Sequence, residues 1–273
     1  MVIVLKYGGN ALAGQGGPDP LLDEIAERVA GGDRVVLVHG GGPQIDAALA
    51  ERGVPQRRVA GLRVTDAATL AVTESVLCGT VNKALVRALL TRGVRAAGIS
   101  GQDGALLVAR KMAPIDGQDL GFVGEIVAVN PAVIEGLFGA GIVPVVAPLA
   151  VTADGGTVLN VNADTSAGAI AGALAADAYV IVTNVERVRL DVDDPASGIG
   201  RIDEATARGH MADGVFFGGM LPKMDSALDA LARGARSAII CGSAPGALAR
   251  ALAGEGTTVV RASASSVASV DED

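Results

Sequence analysis

Two lysines beside glycines are the residues of this chain best suited to chemistry. Lys6 stands just before Gly8-Gly9 in IVLKYGGNAL (3–12), and Lys223 follows Gly218-Gly219-Met220 in GGMLPKMDSA (218–227). A third glycine run, Gly40-Gly41-Gly42, closes VVLVHGGGP (35–43). Glycine lets a backbone approach an anion and form N–H concavities. In open α/β sheets, ligands bind beyond the carboxyl ends of strands, where helix N-termini offer free N–H groups. A cation at a helix start, where Lys223 is expected, opposes the helix dipole at a cost of about 0.3–1 kcal/mol. An anion between the two would remove that conflict. LNVNADTSAG (159–168) brings Asn160, Asn162 and Asp164 to the head of a small-residue helix, where Asp164 also suits an N-cap or first turn. GLRVTD (61–66) supplies Arg63, a residue type that grips carboxylates in a two-pronged fork. Two lysines, glycine N–H groups and one carboxylate suit phosphoryl transfer. The moving phosphoryl group needs positive charge around its oxygens more than a covalent partner.

Other chemistries find no motif. The chain has no GxxxxGK[ST], no GxGxxG after a strand, no HExxH and no GxSxG. His39 and His210 are not spaced as a metal pair, and His39, at a strand end, is expected to be structural. Cys78 and Cys241 show no metal or redox spacing and are expected to be buried thiols. No metal ligand is assigned.

Composition narrows the choice further. With 273 residues the chain makes one large domain or two interlocked lobes. Half the residues are apolar but only 2% aromatic, so the core must be built from Ala, Val, Leu and Ile. A net charge of −8 argues against nucleic acid as a partner, because non-specific binding needs a basic surface. An anionic substrate must then meet locally placed cations. No cleavable leader and no run of about 18 apolar residues occurs, so a soluble, cytoplasmic protein without a membrane partner is expected.

Strand-like runs at 2–6, 35–38, 95–99, 143–147, 179–183, 237–241 and 257–260 alternate with helical patterns at 20–30, 44–52, 81–92, 131–139, 164–176, 203–211 and 223–235. This alternation predicts an α/β fold, a three-layer αβα sandwich with a central, mainly parallel sheet. Residues 105–129 read as antiparallel ribbons, and the polar stretch 186–202 as an excursion over a site. The polar end, 263–273, is expected to be disordered. A boundary near 178 would separate two lobes, 1–178 and 179–262.

KYGGNA (6–11), HGGGP (39–43), GLRVTD (61–66), VNK (81–83), GISGQDG (98–104), DLGFVGEIVAVNP (119–131), LNVNAD (159–164) and GMLPK (219–223) occur in this order. Over about residues 2–260 the chain thereby resembles the amino acid kinase family, and within it the branch acting on N-acetyl-L-glutamate. The resemblance implies that fold, and ATP-dependent phosphorylation of a side-chain carboxylate in arginine biosynthesis. It carries over Lys6 and Lys223 as transition-state stabilisers and Asp164 as the organiser of both. Gly41, Gly42, Arg63 and Asn160 would hold acetylglutamate, with Arg63 on its α-carboxylate. ATP would lie near Gly8, Gly9, Thr183, Asn184, Val185, Gly218, Gly219 and Met220, with Mg²⁺ held mainly by its phosphates. The first lobe would bind the acceptor and dimerise, and the second would bind nucleotide.

The family pattern is not met everywhere. Asn184 stands where the nucleotide-side strand of the family usually ends in aspartate. TNV (183–185), CGTVNK (78–83) and ALAGEGTTV (251–259) lean towards the related kinases of carrier-protein-linked α-aminoadipate or glutamate. Those would want a basic rim, for which only scattered residues such as Arg57-Arg58 qualify. The first strand begins at residue 2, without the helix that interlocks arginine-inhibited hexamers, and 237–247 lacks the usual I-D-G-R. An arginine-insensitive homodimer is therefore expected.

Overall fold

The computed structural model describes residues 1–8 and 19–261. Gly9 and the expected disordered end at 263–273 lie outside the described residues. An eight-stranded sheet forms the middle layer. From edge to edge its strands are Arg201–Asp203, Thr257–Val260, Ala238–Cys241, Ala178–Val182, Val2–Tyr7, Arg34–His39, Val143–Ala147 and Ala96–Ser100. Neighbours are parallel except Ala238–Cys241 against Thr257–Val260. One sheet thus runs through both halves of the chain, with Val2–Tyr7 near its centre.

Side chains of a strand alternate between faces, and both faces are covered here. Ile3, Leu5 and Tyr7 enter an apolar cluster with Leu22, Ile25, Leu49, Leu85 and Leu248, from helices Pro20–Ala30, Gly42–Glu51, Asn82–Leu90 and Ala247–Leu252. Val2 and Val4 join the opposite cluster, which includes Ile170 of Ala163–Ala173 and Leu228 and Leu231 of Leu221–Arg233. Lys6 has the parity of Val4, so the pleat alone directs it towards these last two helices. The expected αβα sandwich is the observed one.

Local signals explain the element ends. Asp19 caps Pro20–Ala30 by accepting from the Leu21 and Leu22 N–H groups, with Pro20 in the first turn. Asn162 caps Ala163–Ala173 through the Asp164 and Thr165 N–H groups. Gly234, at φ 129°, ends Leu221–Arg233. The expected ribbon at 105–129 is the antiparallel pair Leu107–Lys111 and Gly124–Val129. Three features were not expected. Ala67–Glu74 continues through a π-helical segment, Ser75–Val81, into Asn82–Leu90. Leu149–Val151 pairs with Val158–Asn160, and Arg58–Val59 with Leu62–Arg63. Cys241 is buried as expected, but Cys78, on the π-helical segment, is only half-buried.

Candidate active site

The carboxyl ends of the central strands open into a cleft of about 610 Å³. Lys6, Asp164 and Lys223 line it together, although the sequence separates them widely. Lys6 Nζ lies 3.1 Å from one Asp164 oxygen, and Lys223 Nζ lies 3.9 Å from the other. Lys6 and Asp164 are buried, at 8% and 5% exposure, so water screens their attraction little. Two ammoniums balanced by one carboxylate leave the site with excess positive charge. Burial is the first cause that holds the Lys223 ammonium below the ordinary lysine pKa. Asp164 works against that shift, and repulsion from Lys6 adds to it.

The helices around the cleft differ in how their N-termini are satisfied. Ala163–Ala173 uses its Asn162 cap, but Gly42–Glu51 and Leu221–Arg233 have no side-chain cap. Both helix starts border the cleft, through Gly42 and Lys223, and the partial positive charge of a helix start suits an anion there. A Cβ added at Gly41 would lie 2.7 Å from Leu77 Cδ2, so a larger residue there would require the Leu77 side chain to move.

The other expected residues fall around this centre. Gly8, Gly41, Gly42, Thr183 and Asn184 line the same cleft. Arg63 and Asn160 line an adjoining hollow of about 180 Å³ that shares Gly40–Gly42, Arg58 and Asn162 with it. Arg63 is buried and oriented by Asp46 at 2.5 Å and Gln56 at 2.9 Å. A guanidinium has five N–H donors, so others remain for a substrate carboxylate. Asn160 Nδ2 donates to Thr65 Oγ1 at 3.3 Å. Val185 and Met220 lie instead in a small apolar hollow with Val188, Val192, Val215 and Phe216. Gly218, at φ +55°, makes the turn before it, and the Gly219 carbonyl accepts from Lys223 Nζ at 3.3 Å. The polar excursion 186–202 supplies part of this apolar wall.

Arg58 and Ser243 also line the cleft without having been assigned to it from the sequence, and Asn162 was named only for its place at the helix head. Arg58 lies on the two-stranded ribbon and pairs with Asp46 at 3.3 Å. Asn162 had a visible signal, its place just before the helix. Ser243 follows a strand end, where the general rule for α/β sheets would have found it. His39 is structural, as expected. Its Nδ1–H donates to the Gly40 carbonyl and its Nε2 faces the Asn82 amide. Burial pushes its pKa down to about 4, so the ring is neutral.

Among the described residues no three His, Cys, Asp or Glu side chains cluster to hold a metal, and no helix is long and apolar enough to cross a membrane. Asp164 is the one carboxylate among the described residues lining the cleft, and each of its oxygens faces a lysine ammonium.

Comparison with known proteins agrees with this geometry. Curated acetylglutamate kinases are similar to most of the chain. That of Methanopyrus kandleri is 45% identical over 240 residues, covering 87% of this chain and 93% of its own. That of Symbiobacterium thermophilum is 41% identical over 268 residues, covering 95% and 91%. The crystal structure of smu.665 from Streptococcus mutans UA159 superposes with a TM-score of 0.79 at 29% identity, over 95% of this chain and 98% of that one. Residues 1–242 match the model of the amino acid kinase family, and the chain belongs to that family.

Proposed function

We propose that this protein transfers the γ-phosphoryl group of ATP to the side-chain carboxylate of N-acetyl-L-glutamate, forming an acyl phosphate in arginine biosynthesis. One observation carries the reading. Two lysines face the two oxygens of Asp164 in a cleft that shares lining residues with the Arg63 hollow. The acceptor is already an anionic nucleophile, so the reaction needs no general base. His39, neutral and hydrogen-bonded on both ring nitrogens, is not called upon.

Each group then has a task. Arg63 holds the α-carboxylate of the acceptor, with Asn160 and the Gly41-Gly42 backbone placing its remainder. Lys6 and Lys223 bring positive charge to the equatorial oxygens of the moving group, where it counts most in the transition state. Asp164 fixes both ammoniums, and the uncapped helix N-termini receive phosphate oxygens. The nucleotide lies over Gly8, Thr183 and Asn184, with its base towards Val185 and Met220. Mg²⁺ would be held by the phosphates of ATP rather than by protein, and would supply further positive charge to them, which suits a cleft whose one carboxylate among the described residues faces two lysines.

Residues 1–178 bind the acceptor and residues 179–262 the nucleotide. The enzyme works in the cytoplasm as a homodimer. Strand Ala96–Ser100, which among the described residues pairs only with Val143–Ala147 and so ends the sheet, supports association with a second copy.

A hydroxamate assay for acyl phosphate tests the reading. Purified protein with Mg-ATP should turn over free N-acetyl-L-glutamate. Turnover of carrier-protein-tethered α-aminoadipate or glutamate alone would assign it to that branch instead.

A further inference from the structure

Below the cleft, a pair of buried hydroxyls joins the two helices that carry Asp164 and Lys223. Tyr179, on the strand Ala178–Val182, is fully buried. Its hydroxyl donates to the Asp164 main-chain carbonyl at 2.8 Å and lies 3.2 Å from Ser226 Oγ. Ser226, also buried, lies one turn beyond Lys223, and its single hydroxyl proton is shared between the Tyr179 hydroxyl and the Lys223 carbonyl, 3.0 Å from Oγ. The main chains of both site residues thus meet one hydroxyl pair.

The surrounding packing leaves little freedom. A Cβ on Gly168 would sit 2.7 Å from the Ser226 carbonyl oxygen, and one on Gly172 would sit 2.3 Å from Arg233 Cβ. The helices therefore touch at backbone distance. The rest of the strand, Ala178, Val180, Ile181 and Val182, is apolar. A tyrosine there costs stability unless its hydroxyl is bonded, and its partners are the groups that frame the site.

We propose that Tyr179 and Ser226 form a buried clasp that sets the separation between the Asp164 carboxylate and the Lys223 ammonium, so that Tyr179 is a positioning residue for phosphoryl transfer. The inference rests on the functional reading above. Lys6 is placed by the sheet, but Lys223 stands on a helix whose position depends on this seam. Its 3.9 Å approach to Asp164 is loose enough to be lost by a small slide. Misplacement of a group that acts on the transition state lowers kcat rather than ground-state binding.

The test compares Tyr179→Phe, Ser226→Ala and the double variant with wild type and with Lys223→Ala. In the two hydroxyl variants kcat should fall about threefold to tenfold, with both KM values within about twofold of wild type. The two losses should not add, because they open one contact. The alkaline limb of kcat should also move to lower pH. Lys223 faces Asp164 and Lys6 from the neighbouring elements, and a weaker hold by Asp164 lets its proton leave sooner. A packing role alone would lower the melting temperature and leave kcat and the pH limb unchanged, and that result would overturn the clasp. If Tyr179→Phe does not fold, Ser226→Ala decides by the same two readouts. An impaired Lys223→Ala beside unaltered hydroxyl variants refutes the clasp alone. A wild type that makes no acyl phosphate removes the functional reading, and the clasp with it.

Discussion

Lys6 and Lys223 divide a single carboxylate between them, and their roles should separate from that of Arg63 in kinetics. Lys223→Ala should lower kcat by about a hundredfold or more and change KM little, because its charge is used in the transition state. Arg63→Ala should chiefly raise the KM for N-acetyl-L-glutamate. Steady-state rates with each substrate varied check both, and the reverse pattern would exchange the assignments. Activity should require a protonated Lys223, so kcat should fall as pH rises through its pKa. Burial has moved that pKa below the ordinary lysine value, so the loss should come at lower pH than for an exposed lysine. His39 gives a second pH effect, on stability. Its folded pKa of about 4 lies below its ordinary 6.5, so between those values the unfolded chain binds the extra proton. Stability from this group is complete above about pH 6.5 and lost as pH falls towards 4. The full effect is roughly 2–4 kcal/mol. Urea titrations across that window should show the slope in wild type and a flatter one in His39→Gln.

At the scale of elements, the seam between Ala163–Ala173 and Leu221–Arg233 decides where the second lysine stands. Gly168→Ala would place a methyl 2.7 Å from the Ser226 carbonyl oxygen and push the helices apart. It should cost about 1–3 kcal/mol in chemical denaturation and reduce kcat together with stability. This seam was only partly legible in the sequence. The glycine and lysine pairs at strand and helix ends pointed to the cleft, because their physical reasons are local: dipoles, N–H groups and turns. The apolar strands and most helices were legible for the same reason, through periodicity and caps. Tyr179 and Ser226 carry no such signal. They are ordinary residues in a strand and a helix, and their meaning arises only when the two are packed together. The segment 67–81 was missed because its Thr, Val and Gly residues show no clean apolar stripe, although Asp66 caps it through the Thr69 N–H group. Arg58 was visible as a basic residue, but nothing local showed that a two-residue ribbon would hang it over the cleft.

For the whole molecule, a homodimer insensitive to arginine is the expected working form. Size-exclusion chromatography with light scattering should give twice the chain mass, and arginine should leave the rate unchanged. A hexamer inhibited by arginine would contradict both. The halves of the chain are also tied at a distance: buried Glu24 accepts from the Gly246 and Ala249 N–H groups at 2.9 Å each. The sheet order has a further consequence, for biosynthesis. Val2–Tyr7 finds one neighbour as soon as residues 34–39 exist, but the other is Ala178–Val182. A nascent chain therefore leaves the ribosome with this largely apolar strand bare along one edge. It must stay shielded from its fellows until residues 178–182 have been translated, so refolding from denaturant should give lower yields as protein concentration rises.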